Sequence, residues 1–207
     1  MPWAWSQVRP LLTQLCDGLG YLHARGLVHR DVKPSNIFVS PSGHLTLLDF
    51  GIIKELSTDH TGTGLLLGTM RYMAPEQLVQ ANLVDARADV YAVGVVLYRL
   101  LAGRTPFEGD DLKVAQAKVS EDPPSADSLN PTLSGAVASV LSRAVSRDRT
   151  SRFQSVKELL EALDHPEVFT KRRSTRRLAA VVMVGASLVA TAAITWRLTR
   201  VEPPPVS

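Results

Sequence analysis

Between Val90 and Leu101 the chain reads Val-Tyr-Ala-Val-Gly-Val-Val-Leu-Tyr-Arg-Leu-Leu, with Arg99 as the one charge in the run. A helix that is apolar all round needs other elements packed on every side of it. The run therefore predicts a helix buried on all sides. Gly103 stands just past its end and Pro106 beyond that, the usual signals of a helix stop.

Covering elements are legible as periodicities. From Ser6 to His23, Val8, Leu11, Leu12, Leu15, Cys16, Leu19 and Leu22 recur at intervals of three and four, one apolar face of a helix. Pro10 belongs near its first turn, and Gly26 ends the segment. Gly18 and Gly20 each cost a helix interior about 1 kcal/mol relative to Ala, so burial of the stripe has to supply the stability. Two further helices are expected at 134–146 and 155–163, the second opening on Ser155-Val-Lys-Glu158, a capping-box pattern. Ile37-Phe38-Val39 and Leu45-Thr46-Leu47-Leu48, joined by Ser40-Pro41-Ser42-Gly43, read as a short β-hairpin that delivers Asp49 at its far end. Residues 52–74 lack sustained periodicity and are rich in Thr and Gly, a long loop of the kind that often carries function.

Charge divides unevenly. Residues 171–207 hold 7 Lys+Arg against 1 Asp+Glu, and residues 1–170 the other 16 against 19. The body has no basic excess to pair with phosphate backbones, which argues against a nucleic-acid partner. Cys16 is the single cysteine, so no intramolecular disulfide can form, and its helical spacing among leucines makes it a packing residue. Leu178 to Trp196 is a run of 19 residues without a charge. As a helix it would extend roughly 28 Å, close to the ~30 Å hydrocarbon core of a bilayer, and reads as one C-terminal transmembrane helix. Five positive charges precede it and two follow, which predicts that residues 1–177 face the cytoplasm. The expected organisation is a globular domain at 1–165, a basic juxtamembrane linker at 166–177, the span at 178–196 and a short outer tail at 197–207.

The chemistry concentrates in His29-Arg-Asp-Val-Lys-Pro-Ser-Asn36, polar residues packed around a proline that keeps the loop out of helical geometry. Asp49-Phe50-Gly51 begins thirteen residues after Asn36, and Ala74-Pro75-Glu76 begins twenty-five after Asp49. In order and spacing these motifs resemble the eukaryotic-like (Hanks-type) protein kinase family. Lys33 two residues after Asp31, and Thr69 in Gly68-Thr69-Met-Arg-Tyr-Met-Ala-Pro-Glu76, resemble its serine/threonine branch. Kinase motifs, a basic run and a single apolar span together resemble the bacterial receptor-type members, which would place the chain in a bacterial inner membrane.

The resemblance implies a kinase carboxy-terminal lobe, an α+β unit that is mainly α with a short hairpin, and ATP and Mg²⁺ as cofactors. Asp31 would accept or orient the proton of a substrate hydroxyl, and Lys33 would offset charge on the transferred phosphate. Asn36 and Asp49 would hold Mg²⁺, a hard ion suited to such oxygen ligands. Arg30 implies control by phosphorylation of the loop, with Thr58, Thr61 and Thr63 as candidates, because a guanidinium pairs bidentately with phosphate. Thr69 would approach Asp31 and Lys33. Glu76 resembles the partner of Arg152 in a buried ion pair, and Asp89 the residue that braces the catalytic-loop backbone. His23, His44, His60 and His165 have no constellation around them and read as packing or surface residues.

Only 28 residues precede His29, with no Gly-x-Gly-x-x-Gly loop and no strand lysine. The resemblance thus covers about residues 3–165, and Trp3 and Trp5 are expected where an amino-terminal lobe would sit. The sequence reads as a serine/threonine kinase that is truncated or mis-started, acting on Ser or Thr of a protein substrate. The alternative is a catalytically impaired, membrane-tethered pseudokinase or binding module. A purely structural span, with Gly185, Ala186 and Ala190 supporting a homodimer, ranks last because it ignores the catalytic residues.

Overall fold

The computed structural model describes residues 2–48, 70–80 and 84–169. The chain divides into one unit at Met1–Pro166 and a second at Glu167–Ser207. The first unit contains α1 (Trp5–His23), a hairpin of β1 (Ile37–Val39) and β2 (Leu45–Leu47), then α2 (Pro75–Val79), α3 (Ala86–Ala102), α4 (Asp111–Ser120), α5 (Ala126–Leu129), α6 (Gly135–Ala144) and α7 (Val156–Asp164).

The core forms around α3, as its composition requires. Every residue from Ala88 to Tyr98 is buried, and α1, α5, α6 and α7 pack on this helix. Asp85 caps its start by accepting from the Arg87 amide, and Gly103 ends it at φ 88°. Gly94 sets the spacing to α6: a Cβ there would lie 2.9 Å from the Ala144 Cβ and 3.0 Å from Val145 Cγ1. Side chains larger than hydrogen are therefore excluded at this crossing.

The buried face of α1 is Val8, Leu12, Leu15, Cys16, Leu19 and Leu22, with Leu11 only half-buried. Burial pushes the Cys16 thiol up to about 12, in keeping with a packing role. The helix runs through Pro10, and its first turn is closed by Gln7, whose Oε1 accepts from the Ala4 amide at 3.1 Å. Nothing lies within 4 Å of a Cβ built at Gly18 or Gly20, so packing demands neither glycine. Gln14 fastens the hairpin to α1, donating to Gly43 O at 3.0 Å and accepting from the Leu45 amide at 2.9 Å. The strands are antiparallel, with Phe38 opposite Thr46.

Both expected carboxy-terminal helices are present, but the capping box of α7 is rearranged. Ser155 caps the Glu158 amide at 3.1 Å, whereas the Glu158 carboxylate accepts from Gln154 N at 2.8 Å and from Arg143 at 3.2 Å. Trp3 and Trp5 lie over the ends of helices, where with Leu101, Leu133, Val137 and Leu163 they line a cavity of about 710 Å³.

The fold class expected from sequence needs one correction. It included a transmembrane helix, but among the described residues no helix is long and apolar enough to cross a membrane. The 19-residue α1 carries Arg9 and Asp17 and is amphipathic, and the apolar surface of α3 is taken up by its neighbours. The stretch 178–196 lies outside the described residues. The described residues form a helical assembly with a two-stranded sheet, and no spanning element is among them.

Candidate active site

Past α1, Gly26 turns the chain at φ 74°. The loop that follows is held from below by α3. The fully buried Asp89 accepts from the His29 amide at 2.9 Å and the Arg30 amide at 2.8 Å, and pairs with His23 Nε2 at 2.7 Å. A carboxylate buried without such partners would be costly; here each of its oxygens is engaged. His23 is thus a brace for the loop as well as a packing residue, a role that its sequence surroundings do not reveal.

Arg30 itself is exposed and sits at φ 66°, a left-handed conformation that a residue with a Cβ adopts only when its surroundings impose it. The flanking bonds impose it. Asp89 takes the Arg30 N–H, and Gln77 Nε2 donates to the Arg30 carbonyl at 2.8 Å.

The next turn brings three of the expected residues together. The Asp31 carboxylate receives Lys33 Nζ at 2.9 Å and Asn36 Nδ2 at 3.1 Å, while Asn36 Nδ2 also donates to the Asp31 carbonyl at 2.9 Å. Asn36 is buried and the Asp31 and Lys33 side chains are largely so. Pro34 acts differently from the sequence expectation: it opens a single 3-10 turn at Pro34–Asn36, with Asn36 N donating to Lys33 O at 2.9 Å. The missing N–H of a proline is no loss at a first helical position, so it starts the turn that aims Asn36 back at Asp31. Leu48 N donates to Asn36 O at 2.8 Å, which lays the end of the hairpin alongside this turn.

Asp49, Thr58, Thr61, Thr63 and Thr69 lie outside the described residues. Among the described residues no group of three His, Cys, Asp or Glu could hold a metal ion. The donor chemistry at Asn36 nevertheless fits a hard cation, because its Nδ2 is committed to Asp31 and its Oδ1 is the oxygen left to coordinate.

From the other side, the turn at 70–74 and α2 close on the loop. Gln77 Oε1 accepts from the Ala74 amide at 2.9 Å while its Nε2 reaches Arg30 O, so one amide ties the turn to the loop that carries Arg30 and Asp31. Glu76 meets the wholly buried Arg152 in a bidentate pair at 2.7 Å and 2.7 Å.

Comparison with known proteins identifies the family of the chain. The family model for the protein kinase domain matches residues 3–167. The chain belongs to the protein kinase family. It is similar to the probable serine/threonine-protein kinase PknB of Lactococcus lactis, at 35% identity over 161 residues, covering 77% of this chain and 26% of that protein. It also resembles the serine/threonine-protein kinase Pkn1 of Myxococcus xanthus, at 41% over 169 residues, 78% of this chain and 24% of that protein. Among solved structures, the PknI kinase domain of Mycobacterium tuberculosis superposes with a TM-score of 0.58 at 31% identity, covering 80% of this chain and 56% of that one. The chain spans about a quarter of the length of the curated relatives it matches.

As a kinase-family chain it has a loop whose backbone is set by α3 and whose far side is set by α2. Sequence reasoning missed His23 and Gln77 as parts of this frame. Their partners lie 66 and 47 residues away, and no local spacing connects them.

Proposed function

We propose that this chain carries the catalytic loop of an ATP-dependent serine/threonine protein kinase, which moves the γ-phosphoryl group of ATP to a Ser or Thr hydroxyl of a protein substrate. The carrying observation is the convergence of Lys33 Nζ and Asn36 Nδ2 on the Asp31 carboxylate, within a loop braced by Asp89.

Bound Mg²⁺ and ATP would supply the phosphoryl group, its leaving diphosphate and neutralising charge. Asn36, through Oδ1, and Asp49 are the residues assigned to that ion. Asp31 is assigned to orient the substrate hydroxyl and to take its proton as the oxygen–phosphorus bond forms. Lys33, already beside Asp31, places a positive charge where negative charge gathers on the moving group. Arg30, exposed next to Asp31, is suited to receive a phosphate on Thr58, Thr61 or Thr63, and Thr69 is assigned to the substrate side of the same loop.

The test is phosphotransfer from labelled ATP to a Ser/Thr-containing carrier protein by the 207-residue chain, with Asp31→Asn as the control. Signal in the unaltered chain that disappears in Asp31→Asn supports the reading. Equal signal from both, or none from either in the presence of Mg²⁺, overturns it. An intact-mass spectrum of active protein without any loop phosphate would remove the regulatory part.

A further inference from the structure

Lys118 stands on α4 with 2% of its surface exposed, an unusual place for an ammonium group. Nζ donates to Arg71 O at 2.7 Å and to Met73 O at 2.6 Å, and lies 5.0 Å from the centre of the Tyr91 ring. The two acceptors flank Tyr72, whose hydroxyl accepts from Arg99 of α3 at 2.8 Å, and the Arg71 side chain donates to Gly109 O at 2.7 Å. Two residues on, Ala74 begins the Gln77 connection to Arg30 O. An apolar side chain would fill the space under this turn without the desolvation that a lysine incurs, so the amine is there for the carbonyls.

We infer that Lys118 is a positioning residue: by gripping the carbonyls of Arg71 and Met73 from α4, it fixes the 70–74 turn, which follows Thr69 and is tied through Gln77 to the Arg30 carbonyl, and so sets how a peptide substrate is held beside Asp31. The gripping rests on the geometry alone, whereas the substrate part rests on the kinase reading above.

Burial, with the Arg152 charge second, pushes the Lys118 amine down to about 7. The charged and titratable groups around it are Arg152, which also lies over the Tyr91 ring, Glu76 paired with Arg152, Tyr91 itself and Arg71. Losing the proton does not release the turn, because a neutral amine keeps two N–H groups for two carbonyls. The grip therefore holds in both protonation states.

Two arms test the inference on the full chain. In hydrogen exchange followed by mass spectrometry, Lys118→Met is expected to speed exchange of peptides covering 70–80 by about tenfold, with α1 unchanged and Lys118→Arg restoring most of the protection. Unchanged exchange at 70–80 would overturn the grip. Should Lys118→Met fail to fold, amine labelling of the unaltered protein decides instead: Lys118 should label far more slowly than the exposed Lys157, and equal rates would sink the inference.

In phosphotransfer, Lys118→Met is expected to raise KM for a peptide substrate about tenfold while kcat and KM for ATP stay within about twofold, with recovery in Lys118→Arg. A fall in kcat with unchanged peptide KM would overturn the substrate part. A chain that phosphorylates nothing overturns the kinase reading and the substrate part with it, and leaves the exchange arm to decide the grip.

Discussion

The two terminal nitrogens of Arg152 meet the two carboxylate oxygens of Glu76 at 2.7 Å each, across 76 residues of sequence. Arg152 is fully buried and also donates to the carbonyls of Ser146, Arg147 and Arg87. Removing one partner leaves the other's charge in the interior, so Glu76→Ala is expected to cost about 3–5 kcal/mol in urea unfolding. The double variant Glu76→Gln with Arg152→Met should cost less than the sum of the two singles, since it leaves no lone charge. Additive losses would show that the pair is not coupled.

Asp89 is expected to act on the loop more than on the core. In Asp89→Asn one carboxylate oxygen becomes a donor facing N–H groups, and at least one charge-assisted bond to the His29 or Arg30 amide is lost, at about 1.5–3 kcal/mol. Exchange at the amides of residues 29 and 30 should accelerate while α6 stays protected. Protection unchanged at the loop would remove Asp89 as its brace.

Two glycines should respond in opposite directions. Gly94→Val drives a side chain into Ala144 and Val145 and is expected to lower stability by about 1–3 kcal/mol. Gly18→Ala points into open space on a helix and should raise stability by about 0.5–1 kcal/mol. Thermal melts of the two variants check both signs.

Lys118 gives stability a pH dependence of defined sign. Its folded pKa is lowered from 10.5 to about 7. Below about pH 7 the amine is protonated in both states and its contribution is flat. Between about 7 and 10.5 the unfolded chain holds a proton that the folded chain does not, so stability rises with pH. The unaltered protein should therefore gain on Lys118→Met as the pH is raised from 7 to 9, by at most about 1.4 kcal/mol per unit. A constant difference across that range would show that Lys118 titrates at its ordinary value.

How far the sequence could be read depended on burial. α1, α3, α6 and α7 each bury a stripe or a whole surface, and apolar spacing reports that directly. α4 went unread because only Val114 and Lys118 of its ten residues are buried, which leaves no stripe. α2 and α5, at five and four residues, are too short for a period to form. In the site, the cluster of Asp31, Lys33 and Asn36 was legible because it closes within six residues, although the 3-10 turn that closes it was not.

By itself the sequence determined α1, α3, α6, α7 and the hairpin, that one helix would be surrounded, and that a loop resembling the kinase catalytic loop lies ahead of it. These follow from chain-local facts: the alternation of apolar and polar residues, the placement of Gly and Pro, and the spacing of the motifs. Tertiary structure alone decided that His23 joins Asp89 under the loop, that Gln77 holds Arg30, and that Lys118 grips Arg71 and Met73, and it gave the expected Asp89 brace and Glu76–Arg152 pair their geometry. A buried polar group must find a partner, and only packing of the helices brings within reach partners that lie 45 to 76 residues apart.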